Sequence, residues 1–343
     1  MQAVILVGGE GTRLRPLTST MPKPVVPLVD RPFMAYMLEW LRRHGVDDVV
    51  LSLGFLADGV RNVLGDGSQY GMRLRYVEEP RPLGTGGAVK YAESLLDERF
   101  LMLNGDVLTD LDLGAQIALH EERGARCTLA LVPVEDPSAY GLVRLEDDGA
   151  VREFVEKPSP DQIDTNLISA GAYVVEREVL SLIPPDEPWS VERGVFPKLV
   201  GEGLYGYAGS GYWLDIGTPE RYLQATFDIL EGRVRTAPVE RLGPGVSVGE
   251  GARIGELAVL GPDVSVGDRS EVDRAVALRG AAIGEDCRLT DCIVGPGVQI
   301  GDRTRVEAGA VLGEGVTVGA DSLVGAGARI FPGVTLPDGA ISS

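Results

Sequence analysis

Basic residues are scarce in this chain. The 32 Lys plus Arg stand against 51 Asp plus Glu, giving a formal net charge of -19 and a pI near 4.6. That balance excludes a nucleic-acid binder working through a basic face, because phosphate contacts need a positive footprint. Cysteine is equally sparse. Cys127, Cys287 and Cys292 make an odd count with no CxxC spacing, so neither a disulfide framework nor a zinc knuckle is indicated, and a reducing compartment fits. No apolar run approaches the roughly 18 residues that a membrane helix needs. The apolar start at residues 3–7 is too short for a secretory signal and lacks a basic flank. The expectation is a cytoplasmic protein with neither membrane nor nucleic acid among its partners.

Lysine is the rarest cation, with Lys23, Lys90, Lys157 and Lys198 the only four against 28 Arg. A chain that so prefers the guanidinium keeps an ammonium where a compact point charge does something different. Histidine occurs only at His44 and His120. What the chain has in quantity is apolar material, 44% of its residues, enough for two domains at about 100–200 residues each.

From about residue 245 the sequence repeats every six residues. Aliphatic residues recur at Val248, Ile254, Leu260, Val266, Val272 and Leu278, then after a one-residue deletion at Ile283 and Leu289. After a second deletion they continue from Val294 at the same period to Leu336. Glycine commonly follows directly. A hexad with an inward aliphatic and a turn glycine marks a parallel β-helix of about five triangular coils, since a linker has no reason to hold such a period. Residues 1–231 instead alternate strand-like with helical patterns, as in an α/β domain on a largely parallel sheet. Strands are expected at 3–7, 49–53, 74–77, 100–103 and 127–132, and helices at 32–44, 88–96 and 113–123. Residues 232–243 read as the linker and 244–343 as the β-helix domain, taken as a structural and assembly module.

The first strand runs into Gly8-Gly9-Glu10-Gly11-Thr12-Arg13-Leu14-Arg15-Pro16-Leu17, followed by Pro22-Lys23-Pro24. Close glycines at a strand end admit a backbone to phosphate oxygens, and Arg13, Arg15 and Lys23 add local positive charge. The run is neither a Walker A motif nor a GxGxxG fingerprint. It resembles the GGxGTRLxPLT…PKP signature of the sugar-1-phosphate nucleotidyltransferases, in particular the mannose-1-phosphate guanylyltransferase branch. Further landmarks of that family follow in order: Leu83-Gly84-Thr85-Gly86-Gly87-Ala88, Asn104-Gly105-Asp106, Phe154-Val155-Glu156-Lys157-Pro158 and Trp213-Leu214-Asp215-Ile216-Gly217.

The resemblance implies a Rossmann-like catalytic domain followed by a left-handed β-helix, and an enzyme that joins an NTP to a sugar 1-phosphate with release of pyrophosphate. Its residues would be Arg13, Lys23, Asp106, Lys157 and Asp215 in catalysis. Asp106 and Asp215 would hold Mg²⁺. Leu6, Gly8, Gly9, Gly11, Thr12, Arg13, Lys23, Glu79, Gly84, Thr85 and Asp106 would bind the nucleotide, and Asn104, Gly141, Glu156, Lys157 and Ser169 the sugar phosphate. Taken alone, Asp106 and Asp215 also read as ordinary loop carboxylates, and Glu156-Lys157-Pro158 as an exposed turn. Where the family commonly has Asn-Ala-Gly, this chain has Ser169-Ala170-Gly171.

Glu79 reads either as a solvated acidic turn or as the acceptor for two adjacent guanine donors, where pyrimidine-specific relatives carry Gln. The expected substrates are thus GTP and mannose 1-phosphate, with glucose-1-phosphate thymidylyl- or uridylyl transfer as the alternative. A β-helix acyltransferase would want a histidine base, and none follows His120. A non-catalytic regulatory subunit would have lost a metal carboxylate or phosphate cation, and all are present. A homo-oligomer is expected.

Overall fold

The computed structural model describes residues 1–342. The chain divides into two compact units, one of residues 1–9 and 36–213, the other of residues 10–35 and 214 onward. No helix among the described residues is long and apolar enough to cross a membrane.

The first unit is built on a nine-stranded sheet. Its strands are β1 (Gln2–Val7), β2 (Asp48–Leu53), β3 (Arg73–Glu78), β4 (Arg99–Asn104), β5 (Cys127–Pro133), β6 (Gly141–Leu145), β7 (Val151–Glu156), β8 (Leu167–Glu176) and β9 (Leu204–Ala208). They run in the order β7-β6-β8-β4-β1-β2-β3, with β5 pairing β8 and β9. The β3-β2-β1-β4 stretch is parallel, with Val4 of β1 opposite Val50 on one side and Met102 on the other. Of these, β1, β2 and β4 are largely apolar runs, as strands covered on both faces require, whereas the edge strand β3 alternates charged and apolar residues. Beyond β4 the sheet turns antiparallel at β8, where Ala172 lies opposite Leu103. The core gathers Val4, Val50, Phe100, Leu131, Tyr173 and Phe196.

Four helices of eight or more residues accompany these strands: α1 (Phe33–Arg43), α2 (Ala57–Leu64), α3 (Gly84–Tyr91) and α4 (Leu113–Arg123). Local chemistry sets the ends of α4. Asp112 accepts from Ala115 N at 3.1 Å as N-cap, and Gly124 at φ 55° closes the last turn. Helix α3 corrects the expectation of a helix at 88–96. It begins at Gly84, so the glycines of the Leu83–Ala88 motif form its first turn, and only a 3₁₀ turn, Glu93–Leu95, follows it. Close approach explains the shift, because Gly86 N and Gly87 N both donate to Trp189 O, at 2.8 and 3.2 Å.

In the second unit, helix α5 (Pro219–Leu230) is capped by Thr218, whose side chain accepts from Arg221 N. The β-helix follows as three parallel sheets of two- and three-residue strands, six strands on each of two faces and five on the third. Its coils stack at 17- or 18-residue spacing, as in Val266 opposite Ile283 and Val248 opposite Val266. One position of the repeat is corrected. Leu260 pairs with Ala277, and Ala277 with Val294, so the column residue of that coil is Ala277 and not Leu278. The first deletion therefore lies between Val272 and Ala277.

At one corner Gly251, Arg269, Asp286, Arg303, Asp321 and Gly339 all take positive φ. The stacked non-glycine residues form exposed ion pairs, Arg269 with Asp286 at 2.8 Å and Arg303 with Asp321 at 2.6 Å.

Candidate active site

In the first unit the nucleotide motifs converge on the carboxyl ends of β1, β2 and β3, where open parallel sheets bind ligands. Leu6 is half-buried near the end of β1, and Gly9 is exposed just past it. A Cβ on Gly8 would lie 2.9 Å from Oε1 of Glu79, and a Cβ on Gly54 would lie 2.6 Å from Gly8 O. Gly8 is thus pressed against the ends of β2 and β3 with no room for a side chain, whereas a Cβ on Gly9 would meet nothing within 4 Å.

Glu79 is half-buried, not a solvated turn residue. Its N–H donates to Leu53 O at 2.9 Å, its Oε1 accepts from Ser52 Oγ at 3.1 Å, and its Oε2 accepts from Leu83 N at 3.0 Å. Burial pushes its carboxyl above the usual range, against those two stabilising bonds. Gly84, at φ 69°, has no space for a Cβ beside Trp189 O. Thr85 Oγ1 accepts from Val191 N at 3.0 Å and donates to Glu192 Oε2 at 2.7 Å.

Gly105 carries the chain over the end of β1. Its N–H donates to Leu6 O at 3.0 Å, and a Cβ there would run into the Val7 side chain. That close passage sets Asn104, the last residue of β4, and Asp106, just past it, on either side. Asn104 is crowded from the other side by Gly171, which sits at φ 76° in the irregular stretch of β8 between Ser169 and Tyr173. Ser169 Oγ donates to Tyr173 Oη at 3.1 Å, and Ala170 O accepts from Trp213 Nε1 at 2.9 Å. The Ser-Ala-Gly motif is therefore a bulge that aims residues at the sheet edge.

Gly141 lies opposite Glu156, and a Cβ on it would meet the Phe154 ring and stand 3.2 Å from Glu156 Oε2. The Glu156 carboxyl is pushed up, first by burial and then by the charge of Glu192, against the pull of Lys157 and Arg193. Lys157 is exposed and left-handed at φ 53°, its N–H donating to Tyr140 O at 3.0 Å. Among the described residues it shares that backbone with ten other non-glycine residues, most of them at β-helix corners.

The second unit holds the remaining motif residues. Gly11, at φ 61°, opens the 3₁₀ turn Thr12–Leu14, and a Cβ on it would lie 3.3 Å from the Cβ of Lys23. Thr18 Oγ1 donates to Gly11 O at 2.7 Å and ties the loop to itself. A Cβ on Gly217 would lie 2.9–3.1 Å from the guanidinium of Arg13, so the absence of a side chain lets Arg13 rest on the backbone after Asp215.

Residue-by-residue reading missed Gly54, Trp189 and Glu192. Glu192 also accepts from Ser190 Oγ at 2.6 Å, joining the α3 turn to the neighbourhood of Glu156. Its one sequence signal is the Ser190-x-x-Arg193 cap of a four-residue helix, far along the chain from Thr85.

Two family models match the chain in succession. A model described as nucleotidyl transferase matches residues 2–232, and one described as GMPPB C-terminal domain matches residues 239–340. Mannose-1-phosphate guanylyltransferase of Mycobacterium tuberculosis is 38% identical over 317 residues, covering 91% of this chain and 83% of that protein. A UTP–glucose-1-phosphate uridylyltransferase of Synechocystis is 32% identical, covering 91% and 86%. Among solved structures, HddC from Yersinia pseudotuberculosis complexed with GMP-PN is similar at 30% identity and a TM-score of 0.58, covering 66% of this chain and 99% of that one. The chain therefore belongs to the nucleotidyl transferase family, as a sugar-1-phosphate nucleotidyltransferase.

Proposed function

We propose that the reaction is transfer of the guanylyl group of GTP to mannose 1-phosphate, giving GDP-mannose and pyrophosphate. The observation that carries the base is Glu79, a half-buried carboxylate held by Ser52 and Leu83 against Gly8. Guanine presents N1–H and its 2-amino group side by side, and a fixed carboxylate accepts from both. The guanylyltransferase name of the mycobacterial relative and the nucleotide analogue bound by HddC support the same reading. The second reading, uridylyl or thymidylyl transfer to glucose 1-phosphate, is favoured by the cyanobacterial relative.

At neutral pH a phosphate monoester is mostly a dianion, its second pKa being about 6, and no protein base is needed to activate it. An oxygen of the sugar phosphate bonds to the α-phosphorus while the bond from that phosphorus to the β-phosphate bridging oxygen breaks, and pyrophosphate leaves with the electron pair. The protein's work is in-line placement and neutralisation of charge. In this proposal Arg13 and Lys23 hold the nucleotide phosphates, with Leu6, Gly8, Gly9, Gly11, Thr12, Gly84 and Thr85 around the nucleoside. Lys157 holds the phosphate of the sugar phosphate, Glu156 a sugar hydroxyl, and Asn104, Gly141 and Ser169 line the sugar.

Asp106 and Asp215 are assigned to Mg²⁺. Among the described residues no group of three or more His, Cys, Asp or Glu could hold a metal, and two hard carboxylates fit an ion whose other ligands are water and phosphate oxygens. When bound, Mg²⁺ supplies positive charge to the transferring phosphate. The proposal includes a homo-oligomer and a cytoplasmic location, to which three buried free cysteines are suited.

A competition assay tests the substrates. GTP, UTP and dTTP are supplied together with mannose 1-phosphate or glucose 1-phosphate, and the products are weighed by mass spectrometry. GDP-mannose in excess supports the proposal, whereas UDP- or dTDP-glucose in excess replaces it with the second reading.

A further inference from the structure

Two faces of the β-helix carry mostly polar or small residues at the outward strand positions, such as Arg253, Arg288 and Arg305 on one and Ser265, Gln299 and Thr317 on the other. The third face is different. Its outward positions are Val259, Val276, Ile293 and Val311, none more than 1% exposed, and the column ends in Arg329. An aliphatic outward column kept from water has a partner, and two contacts within the second unit bring α5 to its neighbourhood.

Arg329 Nη2 pairs with Glu220 Oε1 at 2.8 Å, while its Nη1 is anchored on Gly309 O at 3.1 Å. The Arg274 guanidinium, fixed by Asp291 at 2.7 Å, stands 4.3 Å above the centre of the Phe227 ring, which is 5% exposed. The strands beginning at Val276 and Arg329 are three rungs apart, about 14 Å at strand spacing. Glu220 and Phe227 are seven residues apart, about 10 Å along a helix. The two arginine arms bridge the difference, so α5 reaches the coils at both ends of that span.

The other side of α5 reaches the phosphate-binding segment. Tyr222 Oη donates to Pro27 O at 2.5 Å, just after Lys23-Pro24, and α5 follows directly on Gly217, against which Arg13 rests. A second tie runs beside it: Arg31 Nη2 donates to Pro238 O at 2.7 Å, and Glu240 N to Asp30 Oδ2 at 3.0 Å.

We propose that the β-helix is a positioning element of nucleotidyl transfer, in which Arg274, Arg329 and the aliphatic face hold α5, and α5 holds the segment bearing Arg13 and Lys23. Arg274 and Arg329 are positioning residues that touch no substrate. The proposal goes beyond the choice of base and sugar, and it rests on the assignment of Arg13 and Lys23 to the nucleotide phosphates.

The test is a charge-swap cycle in the full chain: Arg329→Glu, Glu220→Arg and the two combined, with Arg13→Ala alongside. Melting temperature and circular dichroism are recorded for each variant. Arg329→Glu is expected to raise KM for the NTP about fivefold, the scale of a reversed ion pair, while KM for the sugar phosphate moves less than about twofold and the melting temperature little. The combined swap is expected to restore the NTP value. The idea is overturned if Arg329→Glu leaves NTP kinetics at the wild-type value, if the swap rescues nothing, or if both KM values shift together with the melting temperature. Unchanged NTP kinetics in Arg13→Ala would also overturn it, by removing the phosphate role on which it rests and independently of which base is used.

Discussion

Glu79 shows what a single side chain decides here. Its two oxygens each hold one protein donor, so its orientation is fixed before a base arrives. In Glu79→Gln the amide presents a donor where guanine also presents one, and a buried mismatched pair costs about 1–3 kcal/mol. The ratio of kcat/KM for GTP over UTP should fall roughly tenfold or more. An unchanged ratio would reduce Glu79 to a support for the Leu83 turn.

The same carboxyl titrates above the ordinary glutamate range because of burial. Guanine recognition needs its ionised form, so acidification removes the acceptor earlier than it would at an exposed glutamate. The GTP preference should therefore decline as pH is lowered. Measured as a GTP-to-UTP ratio, the effect is free of the phosphates' own titration, and Glu79→Gln should abolish the pH dependence.

In the proposed function the two motif lysines divide the substrates. Lys157→Ala should chiefly raise KM for the sugar phosphate and Lys23→Ala chiefly that for the NTP. Each variant loses a charge-assisted contact of roughly 1.5–3 kcal/mol. Equal effects of each variant on both substrates would show the division to be wrong.

At the scale of elements, glycines mark where backbones meet. Gly105→Ala would press a methyl against Val7 and Leu6 O and should destabilise the unit by about 1–3 kcal/mol, as overpacking does. It should also displace Asp106, so thermal unfolding and turnover should fall together. Loss of stability with full activity would detach Asp106 from the reaction.

In the β-helix, truncating a column residue such as Leu289, fully buried, to Ala should cost about 2–5 kcal/mol. Removing the exposed Arg303 ion pair should scarcely move the melting temperature.

Periodicity made the elements legible. The buried strands are apolar runs, α4 has its cap and stop in the sequence, and the hexads fixed the coils almost residue by residue. The misplacements have local causes. A glycine-rich helix start at Gly84 carries no propensity signal and forms only because Trp189 O waits for its N–H groups. Leu278 outweighed Ala277 as an inward residue because it is larger, although strand pairing selects the alanine.

For the molecule as a whole, candidate motif residues stand out in the sequence because phosphate chemistry favours few residue types at short spacing. The partners that hold them were not. Glu192 meets Thr85 across more than a hundred residues, and Arg274 and Arg329 of the β-helix meet Phe227 and Glu220 of α5 across 47 and 109. A net charge of -19 would repel two anionic substrates, and Arg13, Lys23 and Lys157 oppose that field locally.

Stereochemistry at the α-phosphorus tests direct attack by the sugar phosphate, with no protein nucleophile in between. The protein would be given mannose 1-phosphate, Mg²⁺ and a single diastereomer of GTP bearing sulfur on the α-phosphorus, and the configuration of the sugar-linked product would be read by ³¹P NMR. One in-line displacement inverts that centre, and inversion is the predicted result. Retention would require two displacements through a nucleotidylated side chain and would contradict the account.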